Sequence, residues 1–183
     1  MQTSIVISGF GGQGVLFAGQ LLAYAGMDTG FHVTWIPSYG PEMRGGTANC
    51  TVIISDEIIG APLVNKPDIA VALNLPSFEK YEGLVKPGGL FVINSSIVTA
   101  VADRPDCDVV YIPANTIAEK QGTTKMMNMA AVGAMLAKRP FLTLDAIKQA
   151  LRNHLPASKV SLLDANFRVL ELGYEAALKE VVV

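Results

Sequence analysis

A glycine-rich turn between an apolar strand and an amphipathic helix constrains the fold of this chain more than any other feature. Positions 3–8 have the composition of a buried strand, and apolar residues at helical spacing occupy positions 14–29. Between them lies the segment Gly9-Phe-Gly-Gly-Gln-Gly14, which contains Gly9, Gly11, Gly12 and Gly14. Glycines at this spacing let the backbone turn tightly and bring N–H groups to an anion at the helix N-terminus. The pattern therefore predicts the first strand, turn and helix of an α/β domain.

The acidic residue that a dinucleotide site requires is missing from the second predicted strand. A nicotinamide dinucleotide site needs a carboxylate for the ribose about 20 residues beyond the turn, at the end of that strand. The second strand, at 32–36, continues into Pro37-Ser38-Tyr39 without an Asp or Glu, and Asp28 precedes the strand. The fold of a dinucleotide-binding domain is thus predicted more strongly than the cofactor.

Strands and helices continue to alternate along the chain. Further strands are predicted at 47–54, 67–74, 90–94 and 108–112, with a short hairpin strand at 58–59, a helix at 76–84, and helices throughout the last third. Such alternation predicts an α/β, Rossmann-like doubly wound and mostly parallel sheet, with helices on both faces and a helical C-terminal third. Because the chain has 183 residues, we expect 1–183 to form a single domain.

The composition limits the classes of partner. Charged residues make up 16% of the chain, against about 25% in an ordinary soluble domain, so we expect something other than water to cover part of the surface. Every apolar run is shorter than the roughly 20 residues that a membrane helix needs, and a basic signal segment is absent, so the cytoplasm is the expected compartment. A net charge of −2 without a block of like charge argues against a nucleic-acid partner.

The cysteines and histidines are isolated in the sequence. Cys50 and Cys107 belong to no C-x-x-C motif, and neither His32 nor His154 has a partner at ligand spacing. We therefore expect buried cysteines, structural histidines and no metal site. No nucleophile with an adjacent base is visible, so a catalytic triad is not expected.

A second glycine-rich segment directly follows the second strand. It contains Tyr39, Gly40, Glu42, Arg44, Gly45 and Gly46. Because this segment leaves the carboxyl edge of the sheet, it is predicted to lie beside the first turn, where Arg44 suits a phosphate or an acidic partner. An equally weighted interpretation is that Glu42 pairs with Arg44 to order the loop. Further along, Gly122-Thr-Thr-Lys125 resembles a fragment of a phosphate loop, but a helix cap by Thr123 or Thr124 is the better prediction.

Taken together, these motifs resemble the gamma subunit of 2-oxoacid:ferredoxin oxidoreductases. The resemblance rests on the segments 9–14, 38–46 and 47–51, and it continues through 66–68, 88–89 and the helix that contains Asn128 and Met129. Paired glycine-rich loops are far more specific than one G-x-G-x-x-G pattern, and the resemblance covers nearly the whole chain.

The resemblance implies a subunit of an enzyme complex in which a 2-oxoacid, coenzyme A and oxidised ferredoxin give acyl-CoA, carbon dioxide and reduced ferredoxin. It implies that thiamine diphosphate and iron–sulfur clusters belong to partner alpha and beta subunits, with a delta subunit as a further candidate. This chain would then contain no catalytic residue and be inactive alone. Its candidate contacts for coenzyme A or partner chains are Gly9, Gly11, Gly12, Gly14, Tyr39, Gly40, Glu42, Arg44, Gly45 and Gly46.

The segment 39–44 resembles subunits that act on 2-oxoglutarate or branched 2-oxoacids more than those that act on pyruvate. Two alternatives stay open at this point. One is a scaffold that binds only partner chains, and the other is a free-standing oxidoreductase that binds a dinucleotide.

Overall fold

The computed structural model describes residues 1–39 and 47–179, and its centre is a six-stranded sheet. The strand order is β2-β3-β1-β4-β5-β6. The strands are β1 (Gln2–Phe10), β2 (His32–Tyr39), β3 (Thr47–Ser55), β4 (Ile69–Ala72), β5 (Leu90–Asn94) and β6 (Asp108–Ile112).

Helices cover the sheet, and most of them pack on one face. The helices are α1 (Val15–Asp28), α2 (Leu75–Tyr81), α3 (Ala114–Glu119), α4 (Met127–Lys138), α5 (Leu144–His154) and α6 (Leu163–Lys179), with 3-10 turns at Thr124–Met126 and Ala157–Leu162. The larger core joins α1, α4, α5 and α6 to one sheet face, whereas α2 packs on the other with Phe78 and Tyr81. The predicted α/β class and helical C-terminal third are confirmed.

The mostly parallel sheet is also confirmed, with one exception that matters for the site. β1, β4, β5 and β6 pair in parallel, but β3 is antiparallel to both of its neighbours, β1 and β2. The connection between β2 and β3 spans only 40–46, which is too short for a helical crossover, so the chain returns as an antiparallel neighbour. β3 therefore separates β1 from β2.

Glycines allow two close contacts between layers. A Cβ atom on Gly26 of α1 would lie 2.9 Å from Cγ2 of Val33, and one on Gly19 would overlap the Cys50 sulfur, so α1 lies directly on the side chains of β2 and β3. In the helical layer, a Cβ on Gly133 of α4 or Gly173 of α6 would overlap the backbone of the opposite helix. The two helices thus pack with their backbones in contact.

Two local predictions differ from the structure. Positions 58–59 form no strand, and the Ile58 side chain is 83% exposed, because Gly60 and Pro62 end the segment before a partner strand is reached. α3 was not predicted, since its six residues are too few to show helical periodicity. The predicted cap at Thr143 is confirmed, because its hydroxyl oxygen accepts a hydrogen bond from the Ala146 N–H at 3.1 Å.

Candidate functional site

The glycine turn joins β1 to α1 at the carboxyl edge of the parallel strands. Gly12 has a φ of 96° and Gly14 a φ of 73°, both in the left-handed region where a side chain is strained. Gly14 is the N-cap of α1, and the first turn of α1 has neither a side-chain cap nor an acidic residue. Backbone N–H groups at the start of this helix therefore remain available to an anion.

Gln13 fixes the shape of this turn. Its side-chain oxygen accepts a hydrogen bond from the Phe10 N–H at 2.6 Å, and its side-chain nitrogen donates to the Leu73 carbonyl at 3.3 Å. Gly9 leaves room for this arrangement, since a Cβ there would lie 3.0 Å from the Leu73 Cβ. The turn is thus attached to the end of β4. Sequence reasoning did not identify Gln13, because a glutamine between glycines carries no recognisable pattern.

The start of α4 contacts the same turn from the other side. Asn128 is 3% exposed, and its amide nitrogen donates to the Gly14 carbonyl at 3.1 Å. Gly14 has no room for a side chain, because a Cβ there would lie 2.5 Å from that nitrogen. Ahead of α4, the Thr123 hydroxyl oxygen accepts from the Lys125 N–H at 3.2 Å, which confirms the predicted cap. The N-termini of α1 and α4 therefore meet at the glycine turn.

The position of β3 argues against a dinucleotide site. In a dinucleotide-binding domain the ribose carboxylate reaches the turn from the strand beside β1. Here the neighbour of β1 is β3, and Phe10 at the end of β1 pairs with Thr47 at its start. Two features of a dinucleotide site are thus missing: a carboxylate after the second strand, and a second strand directly beside β1.

The strand register places the residues that flank the second glycine-rich segment. Tyr39 pairs with Ala48, and Thr47 pairs with Phe10, so the described residues before and after 40–46 lie at the same sheet edge as the glycine turn. The predicted site residues in the segment itself are outside the described residues. These are Gly40, Glu42, Arg44, Gly45 and Gly46.

A small cavity opens at the glycine turn. Its volume is about 290 Å³, and its lining consists of Phe10, Gly11, Gly12, Gly14, Val15, Leu16, Phe17, Thr47 and Ala48. None of these described residues is charged. Larger cavities of about 420 and 750 Å³ lie at the opposite sheet edge and beside β6, and neither includes the turn. The cavity at the turn suits one part of a ligand rather than a whole cofactor.

Buried amide and hydroxyl groups surround the neighbouring strand ends. Asn74 follows β4 and caps α2, since its side-chain oxygen accepts from the Ser77 N–H at 2.9 Å. Asn94 ends β5, and its amide nitrogen donates to the Leu73 carbonyl at 3.4 Å and to the Asn115 side-chain oxygen at 2.9 Å. These neutral groups hold the strand ends in place without adding charge.

Both cysteines are buried, as predicted, and His154 packs against the fold. Both cysteines are buried and unpaired, and burial raises the pKa of the Cys50 thiol to about 12, so this thiol stays protonated. His154 stacks on Tyr24 with ring centroids 4.0 Å apart, and its Nε2 lies 3.0 Å from a carboxylate oxygen of Asp28. Within 1–39 and 47–179, no three His, Cys, Asp or Glu residues form a group that could hold a metal. Among the same residues, no helix has the length and apolarity needed to cross a membrane.

Comparison with known protein sequences identifies relatives over nearly the whole chain. The family described as pyruvate ferredoxin/flavodoxin oxidoreductase matches residues 4–176. The ketoisovalerate oxidoreductase subunit VorA of Methanothermobacter thermautotrophicus is 39% identical over 181 residues, which cover 98% of this chain but 37% of that protein. The 2-oxoglutarate synthase subunit KorC of Methanocaldococcus jannaschii is 32% identical over 181 residues, which cover 97% of this chain and 95% of that protein. The chain thus spans little more than a third of the first relative.

Solved structures have the same fold. The gamma subunit of a keto/oxoacid ferredoxin oxidoreductase from Geobacter sulfurreducens matches with a TM-score of 0.83 and 29% identity, covering 97% of this chain and 99% of that one. A 2-oxoglutarate:ferredoxin oxidoreductase from Magnetococcus marinus, with 2-oxoglutarate, coenzyme A and succinyl-CoA bound, matches with a TM-score of 0.88. It is 22% identical and covers 100% of this chain and 32% of that one. The second likeness concerns the fold alone.

Proposed function

Because the chain belongs to the pyruvate ferredoxin/flavodoxin oxidoreductase family, we propose that it is the gamma-type subunit of a 2-oxoacid:ferredoxin oxidoreductase. The complex would convert a 2-oxoacid and coenzyme A to acyl-CoA and carbon dioxide while it reduces ferredoxin. Both relatives named above are subunits of oxidoreductases or synthases that act on 2-oxoacids.

The observation that carries the proposed role of this chain is the glycine turn between two helix N-termini. Gly11, Gly12 and the first turn of α1 line a cavity whose described lining residues are all uncharged. Helix N-termini attract phosphate because they combine unpaired N–H donors with the positive end of the helix dipole. We therefore propose that the turn binds the diphosphate of coenzyme A. The Magnetococcus marinus enzyme, one chain of which contains this fold, has coenzyme A bound.

The second glycine-rich segment would complete this binding site. The described residues on either side of 40–46, Tyr39 and Thr47, lie at the sheet edge that carries the turn. We propose that Tyr39, Gly40, Glu42, Arg44, Gly45 and Gly46 contribute to it, with Arg44 as a second phosphate contact or as a contact to a partner chain. Arginine suits either, since its guanidinium can donate two hydrogen bonds to one phosphate or carboxylate.

The proposal assigns the chemistry to partner chains. Thiamine diphosphate and the iron–sulfur clusters would belong to alpha and beta subunits, with a delta subunit in some assemblies, and this chain would supply no catalytic residue. Two buried, unpaired cysteines support a reducing compartment, the cytoplasm.

The substrate is proposed to be a branched 2-oxoacid or 2-oxoglutarate. Identity is 39% to the ketoisovalerate subunit and 32% to the 2-oxoglutarate subunit, which favours the branched substrate.

Reconstitution with candidate alpha and beta subunits tests this function. The assembled complex should reduce ferredoxin in the presence of 2-oxoisovalerate and coenzyme A, and the purified chain alone should show no turnover with thiamine diphosphate. Coenzyme A should slow hydrogen exchange of the amides of Gly11, Gly12 and Val15 in the complex, whereas NAD should not. Micromolar binding of NAD or FAD to the isolated chain would contradict the proposal. Unchanged exchange with coenzyme A would favour the scaffold alternative.

A further inference from the structure

A lysine near the glycine turn has no role in the site described above. Lys125 lies in the 3-10 turn ahead of α4, three positions before Asn128. Residues three apart on a helical turn share a face, with Cβ atoms about 5–6 Å apart. Because the Asn128 side chain touches the Gly14 carbonyl at 3.1 Å, the Lys125 side chain starts beside the residue that contacts the glycine turn.

The backbone of Lys125 is fixed, but its side chain is exposed. Thr123 accepts a hydrogen bond from the Lys125 N–H at 3.2 Å, and the following residues Met126 and Met127 are 5% and 6% exposed. These contacts hold the segment against the core from the inner side. The lysine stem therefore extends from a well-defined position into solvent.

The Lys125 ammonium, like those of several other lysines, has no carboxylate partner among the described residues. Lys86, Arg139 and Lys148 each pair with a carboxylate at 2.6–2.8 Å. The described residues that line the cavity at the turn carry no charged side chain, and Lys125 lies three positions before the residue that contacts the Gly14 carbonyl. Lysine is a common phosphate ligand that acts as a point charge on a flexible stem of four carbons.

We propose that Lys125 binds the diphosphate of coenzyme A at the glycine turn, opposite the N–H groups of α1. This inference rests on the proposed function. It also explains why Gly122-Thr-Thr-Lys125 resembles part of a phosphate loop although it lacks the order of one. Thr123 caps the segment, and only the lysine contacts the anion.

Lys125→Gln in the assembled complex tests the proposal. The KM for coenzyme A should rise about tenfold, the change that corresponds to one lost charge-assisted contact, while the KM for the 2-oxoacid stays unchanged. Lys125→Arg should restore most of the loss. The difference between wild type and variant should shrink as salt is raised, because the lysine is exposed. Lys120→Gln, an exposed lysine of the preceding segment, is the matched control and should behave as wild type.

Dephospho-coenzyme A, which lacks the 3′-phosphate, identifies the phosphate that is bound. The proposal expects the same fold-loss with both cofactors, and a loss confined to coenzyme A would overturn the assignment to the diphosphate. An unchanged KM in Lys125→Gln would overturn the role of the lysine.

A Gly12→Ala variant separates this inference from the proposed function. Gly12 has a φ of 96° and no neighbour within 4 Å, so the substitution alters the turn without a direct clash. If Gly12→Ala raises the KM for coenzyme A and Lys125→Gln does not, the lysine proposal fails and the coenzyme A site stands. If neither variant changes this KM, the turn is not the coenzyme A site.

Discussion

The two edges of the sheet differ in the contacts that hold them: ion pairs at one edge and neutral hydrogen bonds at the other. At the amino edge of the parallel strands, Lys86 pairs with Asp68 at 2.8 Å and Arg139 pairs with Asp108 at 2.6 Å. The chain's amino group pairs with Asp56 at the same edge. At the carboxyl edge, the glycine turn is held by the neutral amides of Gln13 and Asn128, and no ion pair joins the described residues there.

We infer from this difference that the amino edge contributes to the stability of the fold and the carboxyl edge to the proposed binding of an anion. Charges at the amino edge have partners within the chain, so they contribute to the folded state and attract little else. Neutral hydrogen bonds at the carboxyl edge fix the turn, and no described residue there supplies a counter-charge to its N–H groups or to the dipoles of the two helices. The proposed anion site thus lies at the edge where the described residues form no ion pair. Three substitutions test whether changes at one edge alter the KM for coenzyme A and changes at the other alter only stability.

The largest effect is expected from Gly14→Ala. The left-handed backbone costs about 1–2 kcal/mol for a residue with a side chain, and the new Cβ would displace Asn128 from the Gly14 carbonyl. The KM for coenzyme A should rise by about tenfold or more, since each 1.4 kcal/mol changes an affinity tenfold. Steady-state kinetics of the complex measures it.

Gly30→Ala provides the control for that substitution. Gly30 also has a positive φ, 88°, but no atom lies within 4 Å of the added Cβ. It should lower the melting temperature and leave the KM for coenzyme A unchanged. Equal KM changes in the two variants would mean that backbone strain at either end of α1 affects the KM for coenzyme A. The effect would then not be specific to the carboxyl edge of the sheet.

An intermediate effect is expected at Asp68, on stability alone. Burial would raise the pKa of this carboxyl, but hydrogen bonds from Lys86 and Ser4 outweigh burial and hold the pKa below its usual value. The unfolded chain therefore takes up the proton more readily. The stabilisation is complete above the unfolded pKa of about 4 and is lost as pH falls through the lower folded value.

Asp68→Asn should lower the free energy of unfolding at pH 7 by about 1–3 kcal/mol and weaken its dependence on pH below about 4. Urea denaturation at several pH values measures both. The KM for coenzyme A should not change, and a change would connect the two edges.

The smallest effect is expected from Arg139→Gln. The side chains of Arg139 and Asp108 are 36% and 40% exposed, so water screens their attraction. An exposed ion pair contributes about 0–1 kcal/mol. The free energy of unfolding obtained from thermal denaturation should fall by no more than that amount. A larger loss would indicate that the hydrogen bond from Arg139 to the Gly88 carbonyl matters more than the charge.

The sequence predicted those features that are encoded locally. Strand and helix positions followed from runs and spacing of apolar residues, and Gly12 and Gly14 have the positive φ angles for which glycine is needed. The insertion of β3 between β1 and β2 was not predicted, because strand order depends on pairings between distant segments. The contact of Asn128 with Gly14 joins residues 114 positions apart, and an asparagine early in a helix gives no sign of its partner.

The close contact between α4 and α6 bears on the position of Asn128 at the glycine turn. Because Gly133 and Gly173 allow the two backbones to touch, the last helix sets the distance of α4 from the sheet. That distance determines where Asn128 reaches the glycine turn. α6 thus helps to hold Asn128 in place, because a methyl group added at Gly173 would overlap the backbone of Ala130, two positions beyond Asn128.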